Sequence, residues 1–271
     1  MKIFIIPYRN RDGQLRVFLN HMKYLLEDMS PNEYRIYIVH QADKRPFNRG
    51  AMRNIGFLEA KKDFPDTYKD MDLVFHDLDN LVGKKNIVEF TTNRNEVNHI
   101  YGNYKDDNLG GIFVMKGSDY EKSGGYPNFW GWGEEDLLLG LRCREANLTI
   151  IRNKFSLKDT RMVHLDHTAN CPATMKTLNT FNEMATKERL QRNIRIADGF
   201  FSLKNINASK ISLEPSVEII NVSALRAIIP KKTMIQKNDG CSLRILVNFL
   251  KNIYIPSNSR LWFDQSKMRI L

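Results

Sequence analysis

Three short β-type runs alternate with two helical patterns in the first eighty residues, and few folds accommodate that order. Residues 2–6 are rich in β-formers and end at Pro7. Residues 14–28 carry Leu15, Phe18, Leu19, Met22, Leu25 and Leu26 at helical spacing. YRIYIVH at 34–40 alternates as a strand, residues 49–61 return to a helical pattern with Ile55 and Leu58 inward, and DLVF at 72–75 reads as a short buried strand. A β-α-β-α-β series implies a mostly parallel sheet covered by helices. Sheets of this kind gather their sites just beyond the C-terminal ends of the strands. Residues 7–12, 40–50 and 76–80 fall there, and all three segments are polar. That convergence is the first sign of function, because loops after strands carry sites more often than strands do.

The middle of the chain is glycine-rich and aromatic, from Gly124 through Trp130 and Trp132 to Gly133. Glu134, Glu135 and Asp136 then open a helical pattern, where acids suit the helix dipole. A strand is expected over 148–153, a histidine-rich stretch covers 162–168, a helix is expected over 187–201, and 216–222 alternates as a late strand. The 271 residues suit one domain with an appendage. No apolar run is long enough for a membrane-spanning helix. Cys143, Cys171 and Cys241 are too few for a disulfide framework, which favours a reducing compartment. Net charge is +10, and residues 226–271 hold nine Lys/Arg against Asp239 and Asp264. This basic tail could meet an anionic partner or simply be a solvated face. No aromatic-interleaved basic stripe or nucleic-acid motif accompanies it, so nucleic acid is not expected.

Four motifs carry chemistry, each with a plain structural alternative. Asp77-x-Asp79 follows an apolar strand, where two carboxylates can face a divalent cation and substrate phosphates. Such pairs also occur by chance in surface loops. His164 and His167 are three apart and can close on one metal with a carboxylate from elsewhere, a mixed donor set that suits Mn²⁺. They could equally be surface histidines. In WGWGEED at 130–136, a Trp face can stack on a sugar and the following carboxylates can bond or deprotonate a hydroxyl. The alternative is a helix start with an aromatic plug. Phe47, Asn48 and Arg49 open a helix, and with Arg9 and Arg11 they favour an anion carrying a stackable base. Solvated arginines are the alternative.

In order, FIIPYRNRDGQL (4–15), VHQADKRPFNRG (39–50), RNIGFLEA (53–60), FHDLDN (75–80), GGIFVM (110–115), GGYPNFWGWGEED (124–136), the histidine pair and DGFFSL (198–203) closely resemble the beta-1,4-galactosyltransferase family. The resemblance spans about three quarters of the chain. It implies an α/β fold of the GT-A type, with a mostly parallel central sheet flanked by helices. The catalytic domain would cover residues 1–210 and a basic C-terminal extension 211–271. It further implies an inverting, Mn²⁺-dependent transfer of galactose from UDP-galactose to a sugar hydroxyl of a glycan or glycoconjugate. Arg9, Arg11, Phe47, Arg49 and Asp77 would hold the uridine and ribose. Asp79, His164 and His167 would bind Mn²⁺. Trp132 would contact the β-phosphate, Gly111 and Glu135 the donor sugar, and Asp136 would be the general base.

Three departures from the family's pattern bear on the site, the first at the metal and the other two at the substrates. His164 stands where Met is frequent. Leu137 stands where the family commonly has an acceptor-holding acid, a loss that Glu134 could partly offset. Asn108 stands where galactose-selective members carry Tyr, and a smaller residue could admit an N-acetyl group, so UDP-GalNAc is the alternative donor. Glu134 and Asn108 are therefore the candidate acceptor-side and selectivity residues. With its first strand at the very start, the chain reads as a soluble, cytoplasmic catalytic core of bacterial or viral origin, or a fragment. A silent sugar-nucleotide-binding module and a protein acting through its basic tail are the competing classes.

Overall fold

The computed structural model describes residues 1–102, 107–131, 135–155, 158–165 and 199–227, all within one compact unit. β1 (Lys2–Tyr8), α1 (Asp12–Leu25), β2 (Tyr34–Gln41), α2 (Arg49–Asp63) and β3 (Asp72–His76) follow in the expected alternation. β1 lies between β2 and β3 and pairs parallel with both. β5 (Glu96–Tyr101), β6 (Ile112–Lys116) and β7 (Thr149–Phe155) extend the sheet on one side. β9 (Leu203–Glu214) and β10 (Val217–Ala227) extend it on the other, giving the order β7-β5-β6-β3-β1-β2-β10-β9. Neighbours run parallel at β1–β2, β1–β3, β2–β10 and β5–β7, and antiparallel at β3–β6, β5–β6 and β9–β10, so the sheet is mostly parallel.

Alternation along β1 shows why the sheet must be covered on both faces. Ile3 and Ile5 enter one apolar cluster with α2 residues Ile55 and Phe57, while Phe4 and Ile6 enter another with Phe18 and Met22 of α1. All four β1 side chains are fully buried. A strand apolar on both faces has no solvent side to offer. α2 approaches β1 closely through Gly56, where a Cβ would lie 2.5 Å from Ile5 Cγ2. A glycine that costs helix propensity is kept there for packing.

The expected boundary at 210/211 falls inside β9, which pairs along its length with β10; β10 in turn pairs with β2 from Val217 to Val222. The late strand expected at 216–222 is therefore part of the main sheet, and its partner β9 was not anticipated. Of the helix expected at 187–201, residues 187–198 lie outside the described residues, and the described part ends in a single 3-10 turn at Phe200–Ser202. The basic tail beyond Ala227 also lies outside them. Among the described residues no helix is long and apolar enough to cross a membrane.

Candidate active site

Because β1, β2 and β3 run parallel, the segments after Tyr8, Gln41 and His76 emerge at one edge of the sheet. β6 runs antiparallel to β3 with His76 opposite Ile112, so the turn before β6 reaches the same edge. There the Asp77 N–H donates to the Gly111 carbonyl, and the Gly111 N–H donates to Asp77 Oδ2, both at 3.1 Å. Gly111 has φ +84°, and a Cβ would stand 2.1 Å from the Tyr101 carbonyl oxygen, so only glycine closes this turn. Asn108 folds back on the same turn, its side-chain oxygen accepting the Gly110 N–H at 2.9 Å.

α2 starts with a cation, against the preference of its dipole for anions. Asn48 caps the helix, its side chain accepting from the Ala51 N–H at 2.9 Å, and Arg49 projects from the first turn. Past the short α3 (Gly117–Ser123), α4 (Glu135–Glu145) starts with two acids. The two helix starts complement each other. Arg49 donates to Asp77 through Nη2 (2.6 Å to each oxygen), and through Nη1 to Glu135 (2.6 Å) and Asp136 (2.7 Å). Arg53, one turn later on the same helix face, donates to Asp77 (2.6 Å) and Asp136 (2.9 Å) and also bonds the Tyr126 hydroxyl. Thus Asp77, the expected donor-side acid, and Asp136, the expected base, are bridged twice.

Three carboxyl groups face two guanidiniums here, leaving one negative charge in excess. The guanidiniums hold the Asp77 carboxyl well below the usual range against the opposing effect of its burial. Burial first, and the neighbouring Asp136 charge second, push Glu135 upward. Glu135 is thus driven toward its protonated form, the opposite direction to Asp77.

Arg9 and Arg11 stand after β1 as expected. Arg9 has Asp43 at 3.7 Å, and its buried Nη1 has no hydrogen-bond partner, a donor suited to an incoming anion. Arg11 Nη1 lies 3.0 Å from Asp79 Oδ2. Phe47 is half-buried against the core, and its carbonyl accepts the Gly131 N–H at 3.1 Å, tying the loop after β2 to the start of the tryptophan segment. Trp130 is covered by the Arg45 guanidinium, 4.1 Å from the ring centroid.

For a metal, β4 (Asn80–Val82) pairs antiparallel with β8 (Met162–His164), placing Asn80 opposite His164. The Leu165 N–H donates to the Asp79 carbonyl at 2.7 Å. The expected ligands Asp79 and His164, 85 positions apart in the chain, therefore meet at adjacent places. His164 Nδ1 lies 2.8 Å from the Asn80 side-chain oxygen. Since that oxygen only accepts, Nδ1 carries the proton and the lone pair sits on Nε2, the tautomer a metal ligand needs. This oxygen-plus-imidazole pair fits a manganese-type ion. Among the described residues no group of three or more His, Cys, Asp or Glu is assembled for a metal. His167, Trp132 and Glu134 lie outside the described residues.

Residues 2–89 match the family model described as the N-terminal region of glycosyl transferase group 7, and residues 93–168 match the one described as the N-terminal domain of galactosyltransferase. Together they take in more than half of the chain. The chain belongs to the beta-1,4-galactosyltransferase family. It is 34% identical over 158 residues to beta-1,4-galactosyltransferase 5 of Sus scrofa, a match covering 55% of this chain and 39% of that protein. It is 33% identical over 163 residues to beta-1,4-galactosyltransferase 4 of Mus musculus, covering 55% and 44%. The match thus spans less than half the length of these curated relatives. Among solved structures, Drosophila beta-1,4-galactosyltransferase 7 with manganese, UDP-Gal and xylobiose superposes with a TM-score of 0.62 at 22% identity, covering 82% of this chain and 93% of that one. The catalytic domain of the same protein with xylobiose gives 0.63 at 23% identity, with the same coverage. The fold is therefore of the GT-A type, as expected for this family.

Arg53 was missed in the sequence. Its signal was its place four residues after Arg49 on one helix, which puts both cations on one face.

Proposed function

We propose that this chain is an inverting glycosyltransferase that moves galactose from UDP-galactose onto a sugar hydroxyl of a glycan or glycoconjugate, with Mn²⁺ bound. The observation that carries this reading is the double arginine bridge between Asp77 and Asp136, two carboxylates from distant segments brought together at the sheet edge where Asp79 follows Asp77. Family membership supports it, as do the manganese, UDP-Gal and xylobiose bound by the Drosophila relative.

In this reading Arg9, Arg11 and Phe47 receive the nucleotide, and Arg49 shifts from the carboxylates toward the donor. Asp136 then accepts the proton of the acceptor hydroxyl while that oxygen attacks C1 of the sugar. The C1–O bond to UDP breaks from the opposite face, so an α-linked donor yields a β-glycoside. Asp79 and His164, with His167, would hold Mn²⁺, which when bound supplies Lewis-acid stabilisation of charge on the departing diphosphate. Trp132 and Glu134 keep their expected roles at the β-phosphate and the acceptor, and Gly111 and Glu135 theirs at the donor sugar.

A second donor, UDP-GalNAc, is favoured by Asn108, whose carboxamide is folded onto Gly110 of its own turn. The test is UDP release and product mass over a panel of donors and acceptors, with and without Mn²⁺. Transfer from UDP-galactose that exceeds transfer from UDP-GalNAc supports the first reading, and the reverse order supports the second. Donor binding without transfer to any acceptor makes the chain a silent binding module.

A further inference from the structure

We propose that Arg53 is a positioning residue that holds the proposed base Asp136 and the donor-side acid Asp77 in register while Arg49 is engaged by the donor. The inference rests on the galactosyl-transfer reading and gives a role in turnover to a residue to which that reading assigns none.

The geometry separates the two arginines. Arg49 is in contact with solvent, its side chain 13% exposed, and it reaches Asp136 only at Oδ2. Arg53 is fully buried and reaches Asp136 only at Oδ1. The same Oδ1 lies 3.2 Å from the buried Tyr126 hydroxyl, and that hydroxyl also bonds Arg53. The Arg53 guanidinium stacks 4.6 Å from the Tyr126 ring centroid, so its plane is fixed. Oδ1 is therefore anchored inward by the buried Arg53 fork and by the Tyr126 hydroxyl, whose one proton it shares with the Leu109 carbonyl at 3.1 Å. Oδ2 is the oxygen left to meet an acceptor hydroxyl once Arg49 moves away. Gly110 keeps that approach open, because a Cβ there would stand 2.8 Å from Oδ2.

Arg53 is an expensive way to hold a helix against a sheet. Its Nε is buried without a hydrogen-bond partner, and burial of a charge with an orphan donor costs stability that an apolar residue of similar volume does not. A planar fork that reaches two carboxylates at once is the one service that such a residue cannot supply, and lysine, with a single point charge, cannot supply it either.

Arg53→Lys keeps the charge and removes the fork. With saturating UDP-galactose and acceptor, its kcat is expected to fall at least tenfold, with KM for the donor changed less than threefold and Tm within a few degrees of wild type. Tyr126→Phe withdraws the other donor from Oδ1 and keeps the ring, and is expected to lower kcat several-fold. Should Arg53→Lys fail to fold, Tyr126→Phe decides: a lowered kcat with unchanged Tm supports the assignment, and an unchanged kcat overturns it. If Arg53→Lys folds and keeps kcat within twofold while wild type transfers sugar, Arg53 is merely structural and only this inference is lost. If wild type transfers from no donor, the galactosyl reading fails and this one fails with it.

Discussion

His99 links the acid stability of the protein to the turn that carries Gly110 and Gly111. Its ring is fully buried, with Nδ1 bonded by the Arg152 guanidinium and Nε2 2.8 Å from the Gly110 carbonyl. A guanidinium only donates, so Nδ1 must accept and Nε2 must carry the proton toward Gly110. The ring is neutral by construction. Burial is the main cause; the hydrogen bond to the Gly110 carbonyl and the Asp136 charge oppose it, the Arg152 charge reinforces it, and together they lower the His99 pKa to about 4. In the unfolded chain a histidine titrates near 6.5, so between about pH 6.5 and 4 the unfolded state takes up a proton that the folded state refuses. The stabilisation is complete above the unfolded value and is lost as pH falls. Linkage makes the loss at about pH 5 roughly 2 kcal/mol for this residue. His76, also lowered to about 4 by burial, adds a loss of the same sign. In His99→Gln the carboxamide can accept from Arg152 and donate to Gly110 without titrating. Urea unfolding of wild type and variant at about pH 7.5 and about pH 5 reads the difference. The variant should lose about 2 kcal/mol less than wild type over that interval. Equal losses in both proteins would refute the claim that His99 is buried in its neutral form.

Three further outcomes follow from the site. Asp136→Asn should lower transfer at least about a thousandfold while UDP–Mn²⁺ affinity, read by calorimetry, stays within a few-fold; near wild-type turnover would remove Asp136 as base. His164→Ala should weaken Mn²⁺ binding at least about tenfold in a direct titration, since it takes away one of the two proposed ligands that lie among the described residues; unchanged affinity would move the metal elsewhere. Gly111→Ala should destabilise the fold by about 3 kcal/mol, combining a left-handed φ with a Cβ driven into the Tyr101 carbonyl. A denaturation midpoint equal to wild type would show that the turn opens without cost.

The residues proposed for the site were legible in the chain. Asp77, Asp79, Arg49 and Asp136 announced themselves by type and by position beside a strand end or helix start. The alternation of apolar runs gave away the parallel core, because a strand buried on both faces leaves a continuous apolar signature. Arg53 was hidden because a lone arginine within a helical pattern reads as a solvated residue; only the packing of α2 onto β1 and β2 turns it inward, toward Asp77 and Asp136. β9 was hidden because nearly all of its side chains are exposed, which leaves no alternation to detect.

The linear chain thus determined the order of the first three strands and two helices, the polar loops at those strand ends, and the kinds of side chain available for a metal, a nucleotide and a proton. Which of them meet was decided by tertiary structure. Three parallel strands bring loops far apart in sequence to one edge, β4 and β8 bring His164 beside Asp79, and the facing starts of α2 and α4 set two guanidiniums among three carboxyl groups. Such pairings depend on contacts across many tens of residues, and local periodicity carries no record of them.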